Sequence, residues 1–97
     1  MKILALESER PGATPQQFQQ YAQVEARKVW DLQQAGIIRE AYFRADRNEA
    51  VLVLECDDGA AARETLSTLP FVQAGLIVFE LIPLRAYPGF ELLFGIG

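Results

Sequence analysis

The chain contains no histidine. The commonest biological metal ligand and the commonest general base are therefore both missing. Zinc sites, histidine-ligated haem and Ser-His-Asp triads are excluded within one chain. Acid-base chemistry is left to carboxylates, Lys, Tyr, Cys or a water they hold. There is one cysteine, Cys56, so no internal disulfide can form. It reads as a small hydrophobe at a strand end, with no cationic neighbour in sequence to activate its thiol. No run of Lys or Arg occurs and the net charge is −4, which argues against nucleic acid and against an anionic membrane as partners. The apolar part of the opening stretch, MKILALE, is too short for a signal peptide or a membrane span, so a soluble, cytoplasmic protein is expected. A Gly-rich phosphate loop, GxSxG, CxxC and HExxH are all absent, as is any nucleotide or flavin fingerprint. No cofactor and no metal are expected.

What is present is one domain's worth of chain: 97 residues, 51% of them apolar, at the upper edge for soluble domains. The excess suggests surface buried in a subunit contact. MKILALE predicts a first strand over residues 2–7. Pro11-Gly12 marks a turn, Thr14 an N-cap and Pro15 the first helical position. A helix follows to about residue 35, closed by Gly36. IIREAYFR predicts a second strand, ADRNEA a polar hairpin turn and AVLVLEC a third strand. Asp57 or Asp58 caps a second helix, GAAARETLSTL, which Pro70 helps end. LIVFELIPL predicts a fourth strand.

The order β-α-β-β-α-β predicts an α+β ferredoxin-like sandwich, a four-stranded antiparallel sheet with two helices on one face. The uncovered face of such a sheet ordinarily alternates apolar with polar. These strands do not. Val51 and Val53 oppose Leu52 and Leu54; Leu76, Val78 and Ile82 oppose Ile77, Phe79 and Leu81. Both faces call for burial, and a second copy packed face to face would supply it. A homodimer, or a larger ring of dimers, is expected. The apolar end of the chain, with Phe90, Leu92, Leu93, Phe94 and Ile96, is expected to make residues 86–97 an intersubunit arm; folding back on its own subunit is the alternative.

Several polar residues stand in apolar surroundings. Phe18, Ala22, Glu25, Val29 and Leu32 fall on one stripe of the first helix. A carboxylate there is costly to bury and acquires a raised pKa, which suits a general acid or base. The alternative places Glu25 at the edge of the stripe, paired with Lys28 or Arg27. On the second strand, Arg39 shares a face with Ile37, Ala41 and Phe43, while Glu40 shares the other with Ile38 and Tyr42. Arg39 is a candidate anchor for a substrate carboxylate, since guanidinium grips carboxylate through two parallel hydrogen bonds; a surface ion pair is the plainer reading. Tyr42 joins it as a candidate substrate-binding residue. Glu55 and Glu80 interrupt apolar strands, and Glu80 is the second candidate catalytic carboxylate after Glu25. Tyr21 and Trp30 read as packing residues, Asp46 to Glu49 as a solvated turn, and Asp57 and Asp58 as caps rather than metal ligands.

EARKVWDLQQAGIIREAYF and NEAVLVLECDDGAAARETLSTLPFVQAGLIVFELIPLRAYPGF together resemble the muconolactone isomerase family. The likeness runs through LQQAG at the helix end, a strand beginning two residues before Arg39, the helix opened by Asp-Asp, the LSTLPF exit and a last strand running into PLRAYP. It covers roughly residues 24–90. The resemblance implies a dimeric α+β barrel, two ferredoxin-like sheets face to face, assembling further into a ring of dimers with the C-terminal segment engaging neighbours. It also implies cofactor-free movement of a double bond within a small unsaturated lactone. By resemblance Arg39 matches a basic position of the family strand, and Glu25 lies in the helix lining the pocket. The family's histidines near the second strand and the tail are not here; Glu40 and Tyr87 stand near those places. Two functional classes follow. One is a cofactor-free isomerase acting on a small anionic substrate, or a cofactor-independent monooxygenase on the same barrel. The other is a non-catalytic ligand-binding module.

Overall fold

Thr14 and Gln17 start the longest element of the fold. The computed structural model describes residues 1–95. In it the Thr14 hydroxyl accepts from the Gln17 amide at 3.3 Å, and the Gln17 side chain accepts from the Thr14 amide at 2.9 Å. This reciprocal capping box, with Pro15 at the first position, launches helix α1, Pro15–Gln34. The other elements are strands β1 (Lys2–Glu9), β2 (Ile38–Phe43), β3 (Ala50–Glu55) and β4 (Ile77–Leu84), and helices α2 (Gly59–Leu66), α3 (Pro70–Gln73) and α4 (Phe90–Phe94). Gly36 leaves α1 with φ +80°, the left-handed conformation expected of it. Asp58, not Asp57, caps α2, its carboxylate accepting from the Ala61 amide at 2.8 Å.

The strands form one antiparallel sheet in the order β2-β3-β1-β4. With α1 and α2 on one face, this is the ferredoxin-like α+β sandwich that the element order predicts. Ile3, Ala5, Leu52, Leu54, Ile77 and Phe79 point toward the helices and meet Leu32, Ala62, Leu66 and Leu69 in the core. Phe18 of α1 and Phe71 of α3 pack edge to face at 5.1 Å.

The structure changes three details. Pro70 begins a separate short helix, α3, because a proline that cannot continue α2 is well suited to a first helical turn. A bulge between Ile38 and Glu40 breaks the register of β2 with β3. An extra residue inverts the alternation beyond it, so Ile38, Ala41 and Phe43 share the helix side and Glu40 and Tyr42 share the other; Arg39 sits in the bulge. Glu49, read as part of a solvated turn, is folded inward, its carboxylate bonded to Arg47 at 2.6 Å and accepting from the Glu9 amide at 3.3 Å.

The face of the sheet away from the helices is uncovered in the single chain. Leu4, Leu6, Val51, Val53 and Ile82 are half-buried there, and Tyr42, Val78 and Leu84 are exposed. The tail does not fold back to cover it: Tyr87, Phe90, Leu92, Leu93 and Phe94 are all exposed, and α4 buries no residue. Ile96, the last apolar residue of the expected arm, lies outside the described residues. The radius of gyration is 15.8 Å, against about 13 Å for a compact chain of 100 residues. No helix among the described residues is long and apolar enough to cross a membrane.

Candidate active site

Only Glu25 and Leu32 of α1 are buried. Ala22, Ala26 and Val29 border an open space, where the sheet residues opposite include the small Ala41 and Ala50. The result is a cavity of about 490 Å³ between α1 and the helix-facing side of the sheet, within the usual range for small-molecule sites. Leu52, Leu69, Phe71 and Phe79 form its floor and inner wall, and Val29, Trp30 and Phe43 its outer part. Trp30 and Phe43 are exposed, so the only tryptophan of the chain sits at the mouth.

Two carboxylic acids enter this apolar space. Glu25, 8% exposed, accepts a hydrogen bond from the Phe71 amide at 2.9 Å. Burial pushes its carboxyl above the usual carboxylate range, with the Phe71 amide opposing the shift. Glu7 of β1, 9% exposed, lines the same cavity. Burial, opposed by the Ala50 amide and reinforced by the charges of Glu25, Glu49 and Glu9, pushes it up to about 7. Glu7 thereby keeps a proton near neutral pH, and with the Glu25 carboxyl in the same cavity one group can donate while the other acts as base.

The residues singled out in the sequence are divided by the fold. Glu25 is in the cavity, on the buried side of its helix and paired with neither Arg27 nor Lys28. Tyr42 borders it, with its hydroxyl turned to donate to Glu40 Oε1 at 2.6 Å. Arg39 is exposed, outside the lining, and donates from Nε to the Gly36 carbonyl. Glu80 is exposed on the opposite face, paired in register with Leu6, and does not meet Glu25. The bulge accounts for Arg39. For Glu80 the cause is parity: Ile77 and Phe79 take the inward positions of β4. Glu7 was missed. Its signal was the two-residue spacing with Ile3 and Ala5, hidden because Leu4 and Leu6 made the other face of β1 equally apolar. No group of three His, Cys, Asp or Glu side chains suited to a metal ion occurs among the described residues.

A helix-covered antiparallel sheet with a small-molecule-sized cavity and two buried carboxyls defines the molecule as an α+β ferredoxin-like domain with an internal site. More particularly, the fold is that of muconolactone isomerase: a crystal structure of that enzyme superposes with a TM-score of 0.75 over 91% of this chain and 92% of that one, at 21% identity. A second similar structure is 5-chloro-2-hydroxyhydroquinone dehydrochlorinase (TftG) from Burkholderia phenoliruptrix AC1100, in complex with 2,5-dihydroxybenzoquinone; its TM-score is 0.72 over 92% of this chain and 98% of that one, at 16% identity. No protein-family model matches the chain, and no curated protein matches it significantly in sequence.

Proposed function

We propose that the chain is a cofactor-free enzyme that moves a proton within a small cyclic carbonyl compound, such as an unsaturated lactone. The observation that carries this reading is the pair Glu7 and Glu25, both raised by burial in one apolar cavity. Ionised Glu25, oriented by the Phe71 amide, removes a proton from the carbon next to the carbonyl. The C–H electron pair moves into the ring, and negative charge develops on the carbonyl oxygen. Glu7, half protonated near pH 7, donates a hydrogen bond to that oxygen, where a donor in a low-dielectric site is most effective. Glu25 then returns the proton at the far end of the conjugated system; the double bond has moved and both carboxyls regain their starting states. Arg39 and Glu80 have no part in this scheme. The likeness in fold to an isomerase of a lactone and to a dehydrochlorinase holding a small quinone ring supports a small ring as substrate. The same reading has the open sheet face closed by a second copy, supported by the exposed Tyr42, Val78 and Leu84 and by the apolar α4.

Proton NMR in D₂O tests the chemistry, using a panel of unsaturated lactones and cyclic ketones with and without a free carboxylate, muconolactone included. Deuterium is expected at the far carbon of the conjugated system in the product and, by reversal, at the carbon next to the carbonyl, and Glu25→Gln is expected to slow its entry on the order of 100-fold or more. Equal rates in the two proteins would remove Glu25 as the base. A panel that binds without exchange would leave a non-catalytic binding module on the same scaffold.

A further inference from the structure

The cavity that carries the proposed chemistry is also selective for charge. Its chargeable wall residues are the carboxyls Glu7 and Glu25; Tyr42 borders it but turns its hydroxyl to Glu40, and among the described residues no Lys or Arg lines it. The cations of the neighbouring segments lie outside the lining, Lys28 and Arg10 among them, and four are engaged elsewhere. Arg39 donates to the Gly36 carbonyl, Arg27 lies 3.4 Å from Asp31, Arg44 2.7 Å from Asp46, and Arg47 2.6 Å from Glu49. A carboxylate entering this space would give up its hydration without gaining a counter-ion, and would face a like charge across a low-dielectric gap. The net charge of −4 opposes its approach as well. A neutral ring meets none of these costs. It gains contact with the faces and edges of Phe43, Phe71 and Phe79, and a protonated carboxyl can donate to its carbonyl.

We propose that the site takes an uncharged, unsaturated carbonyl-bearing ring and rejects the same ring carrying a free carboxylate. This rests on the proton-transfer reading for the nature of the ring, and on the wall chemistry for its charge. It also departs from the anionic substrate expected from the sequence, because Arg39, the anchor that expectation needed, is outside the cavity.

Muconolactone and its methyl ester share a ring and differ in charge. Calorimetric titration of the full chain with each, near pH 8, is expected to give ester binding at least about tenfold tighter than acid binding. In Glu7→Gln the gap is expected to narrow, by tighter binding of the acid rather than weaker binding of the ester. Acid binding equal to or tighter than ester binding in the wild-type chain would overturn the proposal, as would failure of both to bind at millimolar concentration. Deuterium exchange measured on the same samples separates the two readings. An ester that binds tightly without exchanging leaves charge selection standing and removes the chemistry. An acid that binds as well as the ester and exchanges does the reverse.

Discussion

The two faces of the sheet break the usual pattern in opposite ways. The face beneath the helices should be uniformly apolar, yet it carries Glu7 and lies under Glu25. The face turned away from them should be polar, yet it presents Leu4, Leu6, Val51, Val53, Val78 and Ile82. The first departure costs stability and leaves two proton-binding groups in an apolar cavity. The second leaves an apolar surface of the kind that association covers. A sandwich that served only as a scaffold would need neither. The inner departure fits chemistry, and the outer one fits association.

That contrast can be broken from either side. The largest effect is expected on the open face. Replacing Leu4 and Val53 together by Lys places two charges at its centre, on paired strands, without touching the core. Light scattering should show loss of self-association, while circular dichroism remains that of a folded chain. A wild-type chain that is monomeric at micromolar concentration would remove the associating role of this face.

The next effect is on the inner face. Glu7 binds its proton more tightly in the folded than in the unfolded state, with a pKa raised from 4.5 to about 7. Between these values the folded chain carries the extra proton. The stability linked to it is therefore complete below the unfolded value and is lost as pH rises through the folded one. At about 1.4 kcal/mol per unit the whole loss is on the order of 3 kcal/mol. Glu7→Gln, which stays neutral, should recover most of this near pH 8 and flatten the decline, as read by urea unfolding across that range. Unchanged stability at both ends would mean that Glu7 is solvated. The smallest effect lies away from both faces: Thr14→Ala removes one half of the capping box and should lower stability by about 1 kcal/mol, measured in the same way.

Much of the fold was legible because it depends on local signals. Thr14-Pro15, Gly36 and Asp58 delimit the helices through hydrogen bonds and backbone preferences confined to a few neighbouring residues. The alternation Val51-Leu52-Val53-Leu54 was readable as a strand that needs cover on both sides. Glu25 was legible as well, since its place on the stripe with Phe18, Ala22, Val29 and Leu32 follows from helical geometry alone. The site as a whole was not. One inserted residue at Arg39 reversed the faces of β2, and pairing with β3, not the sequence of β2, is what creates that bulge. Glu7 and Glu25 are distant in the chain, and what joins them is the approach of α1 to the centre of the sheet.

The sequence by itself determined the elements, their order and the two-sided character of the strands, because capping, turn chemistry and periodicity act over a few residues. Only the tertiary structure decided which carboxylates share a cavity, that Arg39 stays outside it and that Glu80 faces the other way. Those facts depend on register and on the separation between helix and sheet, which long-range packing sets.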